Sequence, residues 1–308
     1  MLRSLKAALA VVLALGAPAL APTLAVADPA AELAQVRAVL DRYADISVAR
    51  ADGWRPFGGD EPLMGQHWYR DGGPDYAGSD ARLDFAQPSN LMYTEIGGRQ
   101  VLTGAAFVVR LRHGEALPAG FTGGGDRWHV HDFEGAFEAA TEDRPFLRGL
   151  GNWWLDREYR NAGDDRGRLA MVHAWAGPIP NPDGPFASHN RLLPYLELGL
   201  PAEWANGAGM AAARGLVLAT PDGCERTLEG PVWIANIPGG QERALLAGCA
   251  QAADHVRAAL ATGDRAAVDA AARGAWQSWE GFLDAQLTPD QKRRIAAMSE
   301  HGMDHGAH

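Results

Sequence analysis

Trp128-His129-Val130-His131-Asp132-Phe133-Glu134 follows a run of three glycines, Gly123 to Gly125, and reads as a β-strand. On a strand, residues two apart share a face and lie about 6 to 7 Å from each other. His129 and His131 therefore project together, while Val130 faces the opposite layer. Two imidazoles so placed can bind one metal ion from one wall of a pocket, and imidazole suits Zn, Cu, Fe and Ni. The competing reading is a pair of surface or core-edge histidines with no ligand.

The histidines around this strand weigh against that plainer reading. Arg168 to Trp175 reads as a buried strand with His173 at its centre. A charged group there would be costly without a partner, so neutral imidazole with a hydrogen bond or a metal is expected. His67 sits among bulky residues in Leu63-Met64-Gly65-Gln66-His67-Trp68-Tyr69-Arg70. His189 lies on Pro178 to Asn190, a loop rigidified by proline. Several histidines adjoin tryptophans (His67-Trp68, Trp128-His129, His173-Ala174-Trp175), which implies an aromatic wall around the polar groups. His67, His129, His131 and His173 are the expected ligands of one site. Glu95, Glu134 and His189 are further candidates. A structural histidine is the alternative at each position, and a solvated strand carboxylate is the alternative for Glu95.

The rest of the chain places these strands in an α+β fold. Leu33, Val36, Val39, Leu40, Tyr43 and Ile46 recur at spacings of three and four, which predicts an entry helix from Asp28 to about Arg50. Trp54 to Pro62 reads as a Gly- and Pro-rich loop. Asn90 to Ile96 and Gln100 to Leu111 read as a hairpin turning at Gly97-Gly98. Glu134 to Arg148 reads as an irregular or short helical excursion, and Asn152 to Asn161 resists assignment. Leu192 to Trp204 holds a short helix. Gly215 to Ala219 reads as a strand and Gly230 to Ile237 as another apolar run. From Gln241 the chain turns to alanine-rich helix: about Gln241 to Ala261, then Arg265 to Gln286, then a short helix from the capping box Thr288-Pro289-Asp290-Gln291.

The expected architecture is a mainly antiparallel sheet or incomplete β-barrel with an N-terminal helix and a C-terminal helical segment packed on it, since segregated strands and helices favour α+β. The divisions are 1–27, 28–240, 241–299 and 300–308. No glycine-rich phosphate loop, nucleophile-elbow serine or zinc-finger cysteine pair is present.

Residues 1–27 read as a secretory leader: Arg3 and Lys6, the apolar Ala7 to Gly16, and a cleavage site after Ala25-Val26-Ala27. Loss of Arg3 and Lys6 takes the formal charge from -10 to -12. That balance is a poor match for nucleic acid or anionic lipid, and no later segment reads as a membrane span. A periplasmic or secreted protein is expected. Cys224 and Cys249, the two cysteines, are expected to pair there, stabilising the fold by about 3 kcal/mol. The alternative is two thiols, one of them a Cu(I) ligand. The tail His301-Gly302-Met303-Asp304-His305-Gly306-Ala307-His308 carries His301, Met303, His305 and His308, ligand types for copper.

Two resemblances bear on function. His129-x-His131-x-x-Glu134, with Pro182-x-Gly184 and His189, resembles the two metal motifs of cupins; the glutamate comes one residue early and the later histidine two residues late. The segments Ala51-Asp52-Gly53-Trp54 and Met64-Gly65-Gln66-His67-Trp68, a strand with His173, and then Asn181-Pro182-Asp183-Gly184-Pro185-Phe186 resemble a group of uncharacterised exported bacterial proteins. That second resemblance spans roughly Asp28 to Asn190 and implies that His67 and His173 belong to one site. The expected function is binding of a transition metal, with copper favoured by the tail and zinc or iron the other candidates. The alternatives are a cupin-like metal-dependent enzyme, with Glu134 or Glu95 as fourth ligand or base, and a binding module whose tryptophans form an apolar ligand pocket.

Overall fold

The structure, a computed structural model, describes residues 29–70, 76–78, 82–118, 120–121, 128–142, 144–159 and 167–300. The expected leader, the three-glycine run and the His/Met tail from His301 lie outside them. The fold is α+β, with an antiparallel half-barrel sheet in the N-terminal half and a helical C-terminal segment.

Helices α1 (Pro29–Arg42) and α2 (Ile46–Ala51) open the chain. The periodic residues Val36, Leu40 and Tyr43 are buried as one stripe. The helices are separated at Asp45, whose carboxylate caps α2 by accepting from the Ser47 amide at 2.8 Å.

Among the described residues seven strands follow: β1 (Trp54–Glu61), β2 (Gly65–Arg70), β3 (Ala77–Gly78), β4 (Asn90–Ile96), β5 (Arg99–Arg110), β6 (His129–Asp132) and β7 (Arg168–Ala174). Their order is β1-β2-β4-β5-β7-β6, all antiparallel, with the short β3 lying parallel to β5. The β4–β5 turn is made at Gly97 and Gly98, both at positive φ, as a tight right-twisting hairpin requires. Trp54 to Glu61 is a strand rather than the expected loop. It sits at the sheet's edge, where Pro56 is tolerated, and a bulge between Phe57 and Asp60 accommodates Gly58 and Gly59.

Register divides the sheet into two faces. Trp68, Leu91, Tyr93, Ala105, Phe107, Val172 and Ala174 form one core cluster with Val36, Leu40 and Tyr43 of α1. The alternate residues face the other way. His67 stands opposite Met92, Met92 opposite Gly104, His173 opposite Ala106, and His129 opposite Met171. All four histidines therefore share the second face.

That second face meets the helices. Met92, Ala106 and Trp175 join a cluster with the C-terminal helices, and Val108 and Leu169 pack with Leu155 and Phe133. After β6 come α3 (Phe133–Ala140) and α4 (Pro145–Tyr159), and after β7 come α5 (Leu193–Glu197) and a 3-10 turn (Ala202–Ala205). The remaining helices are α6 (Met210–Ala219), α7 (Gly223–Ile234), α8 (Gly239–Leu260), α9 (Arg265–Gln286) and α10 (Pro289–Glu300). The helical segment thus begins well before Gln241.

Gly215 to Ala219 is helical, not a strand. The run is apolar because α6 is wrapped by α8 and α9, and a five-residue apolar window does not distinguish a buried helix from a strand. Gly230 to Ile237 is largely the end of α7. The box at Thr288 forms as expected: the Gln291 amide donates to Thr288 Oγ1 at 3.2 Å and the Thr288 amide to Gln291 Oε1 at 3.0 Å. Cys224 and Cys249 form a disulfide that ties α7 to α8. Among the described residues no helix is long and apolar enough to cross a membrane.

Candidate functional site

His173 is fully buried at the end of β7. The proline-rich loop beyond it folds back over the strand. The Trp175 amide donates to the Pro185 carbonyl at 2.8 Å, its indole to the Ala187 carbonyl at 2.6 Å, and Asn181 Nδ2 to the His189 carbonyl at 2.7 Å. These bonds deliver the Ser188 carbonyl to His173 Nδ1 at 2.8 Å. A carbonyl only accepts, so Nδ1 carries the proton. In neutral His173 the Nε2 lone pair is then turned away from the loop.

It is turned toward His67. The two Nε2 atoms are 3.4 Å apart, although β4 and β5 lie between their strands. Three strand spacings amount to about 14 Å across a flat sheet. The contact therefore requires the half-barrel's curvature and marks the histidine face as its concave one.

His129 joins the pair, with its ring centroid 5.1 Å from that of His173, and His131 lies 4.8 Å from His129. His131 is buried and stacks on Phe133, the first residue of α3. The four expected histidines thus form one chain of ring contacts: His67, His173, His129, His131. As the rings stand, no three His, Cys, Asp or Glu side chains among the described residues surround a point that could hold a metal ion.

The other candidates separate from this group. Glu95 is exposed beside the Gly97-Gly98 turn and points to the opposite face from Met92, roughly 10 Å along the strand. It does not belong to the site. Glu134 occupies the first turn of α3, half-buried, while Asp132 caps that helix by accepting from the Gly135 amide at 2.9 Å. His189 is buried on the loop that positions His173, and its carbonyl is held by Asn181.

A second set of groups was not singled out from sequence. Glu61 pairs with Gly65, two residues before His67, and so lies on the histidine face. Burial raises the pKa of its carboxyl; His67 pulls it down and Glu229 adds to the rise. Beside it, Arg226 of α7 bridges Glu197 of α5 at 2.7 Å and Asp60 of β1 at 3.4 Å. Burial pushes the Asp60 carboxyl from 3.8 up to about 6, with Arg226 opposing and Glu197 reinforcing. One rim of the histidine group is therefore acidic, anchored by a single arginine to the helical layer. Each of these residues alone looks like an ordinary surface charge in the sequence, and they come from segments up to 169 positions apart.

Two cavities lie elsewhere. One of about 330 Å³ is lined by Arg50, Arg55, Pro56, Gln66, Trp68 and Gln100. A larger one of about 530 Å³ opens between α1 and the sheet, with Tyr43, Trp54, Tyr69 and Tyr76 beside Arg42 and Arg70. Val39, Leu83, Pro88, Phe107, Val108 and Val109 also line the larger one, so it is mainly apolar, with the arginines at its polar positions. Comparison with protein-family models, curated proteins and solved structures finds no match to this chain.

Proposed function

We propose that the chain binds a transition-metal ion on the concave face of its sheet, between His67 and His173, with His129 and His131 as the further imidazoles. The observation that carries this reading is the 3.4 Å approach of His67 Nε2 to His173 Nε2. Two nitrogens each about 2.0 to 2.1 Å from a tetrahedral zinc stand roughly 3.4 Å apart. His173 also has the supporting contact that metal-bound histidines use, a backbone carbonyl on the far ring nitrogen that fixes tautomer and orientation. The third imidazole of this face, His129, has its ring centroid 5.1 Å from that of His173. The disulfide supports the oxidising compartment implied by the leader, since such bonds persist there.

The same 3.4 Å separation fits a neutral imidazole pair in which His67 donates to His173. Metal binding distinguishes the two. The test is equilibrium dialysis of the full chain with His301, His305 and His308 replaced by alanine, stripped by chelator and offered Zn(II) or Cu(II). One tightly held equivalent is expected, and it should be lost in His67→Ala. No equivalent with this chain, or an equivalent indifferent to His67, overturns the assignment.

A further inference from the structure

We infer that Met92 supplies a thioether to this centre and that the centre is selective for Cu(I). This rests on the metal reading above and adds the identity of the ion.

Met92 is fully buried on β4, directly opposite His67 on β2. Its side chain does not lean toward His67's strand. Its methyl lies over Gly104 of β5, 2.7 Å from where a Cβ on that glycine would stand, and Trp175 Cε3 approaches the same point at 3.2 Å. Any side chain at position 104 would crowd this arrangement. The thioether thus crosses from β4 toward the strand that carries His173, along the floor of the concave face. His67 and His173, whose Nε2 atoms are 3.4 Å apart, stand on this same face. In this inference the ion they hold takes the Met92 sulfur as a further donor from the floor of the face.

Soft thioether donors favour Cu(I), whereas imidazole alone serves zinc, copper, iron and nickel alike. Both cysteines are held in the disulfide. Methionine is thus the sulfur available to the site, and a second one, Met171, stands opposite His129 on the same face. The competing role for Met92 is that of a flexible core filler. Leucine would fill the floor equally well, so Met92→Leu separates the two roles at little cost to packing.

The experiment is an anaerobic competition of wild-type chain and Met92→Leu for Cu(I) against a chromophoric Cu(I) chelator, with a parallel Zn(II) competition. Cu(I) affinity should fall by about 10- to 100-fold, the range that even an outer-shell loss costs a metal site, while Zn(II) affinity stays within about twofold, because zinc is served by the imidazoles. X-ray absorption of the copper-loaded wild-type chain should show a sulfur scatterer that Met92→Leu lacks. Unchanged Cu(I) affinity, or a sulfur shell that survives the substitution, overturns the role of Met92 and leaves the histidine site standing. Failure of the wild-type chain to bind either ion overturns both readings. The absorption spectrum also decides the matter should Met92→Leu fold poorly: a wild-type copper site without sulfur refutes the inference.

Discussion

Asparagine at position 173 separates the two roles of that histidine. Asn Nδ2 stands where His Nδ1 does, so His173→Asn keeps a donor for the Ser188 carbonyl, now held at 2.8 Å, and deletes the Nε2 that faces His67. His173→Ala deletes both. In metal-free chain, alanine leaves a buried carbonyl without its donor, a cost of about 1 to 3 kcal/mol. The vacated volume at a fully buried site adds to this. The sum should be about 3 to 5 kcal/mol, as for other large-to-small changes in a core. Asparagine avoids the first contribution and should cost about 1 to 2 kcal/mol. Metal changes the comparison. An ion that binds only the native state at one hundred times its dissociation constant adds about 2.7 kcal/mol, and both variants should lose that increment entirely. The assay is urea unfolding followed by tryptophan fluorescence, with chelator and with metal, for all three proteins. If His173→Asn keeps the metal-dependent increment, Nε2 is not a ligand. If it is as unstable as alanine without metal, the Ser188 bond is not what holds the ring.

Two further expectations concern the scaffold. The Asp60 carboxyl is raised from 3.8 to about 6, so its contribution to stability is fully present below its unfolded pKa and lost as pH rises through 6. Two pH units correspond to about 3 kcal/mol, and partial exposure of the side chain reduces that to about 2; Asp60→Asn should flatten the fall in urea midpoint between pH 4 and 7, and an unaltered slope would refute the shift. A Cβ on Gly215 of α6 would stand 1.9 Å from the Ala272 carbonyl oxygen of α9, backbone that cannot step aside, so Gly215→Ala should lower the melting temperature sharply, by about 3 kcal/mol or more in stability. Gly274 of α9 has nothing within 4 Å of its Cβ position, and Gly274→Ala should instead stabilise by about 0.5 to 1 kcal/mol; a loss there would show that the helix is not exposed as described.

Strand alternation was enough to place His129 with His131, and an apolar strand with one imidazole at its centre was enough to mark His173. The hairpin was legible from Gly97-Gly98, the last helix from its capping box, and the disulfide from the count of two cysteines. Other features depend on distance. Alternation assigns His67 to a face but says nothing of the curvature that brings β2 to β7. The acidic rim of Asp60, Glu61, Glu197 and Glu229 around Arg226 is assembled from β1, α5 and α7, and no local spacing announces it. β1 was concealed by its own composition, because Pro56, Gly58 and Gly59 are loop residues except at an edge with a bulge. Met92 reads as core in any alternating pattern, and its bearing on the histidines depends on the absent side chain at Gly104.

The His67–His173 contact is also a chord drawn across an arc. The strands it spans are joined edge to edge by backbone hydrogen bonds and, between β4 and β5, by the Gly97-Gly98 turn, with core side chains packed on both faces. A more strongly bowed arc would press the two nitrogens together, and a flatter one would set them farther apart than their 3.4 Å. The separation of these two atoms is therefore a strain gauge for the whole half-barrel. A bond made at that point tightens the arc from within, as a string holds a bow, and events on the convex side, where α1 packs, would be felt at the chord as tension.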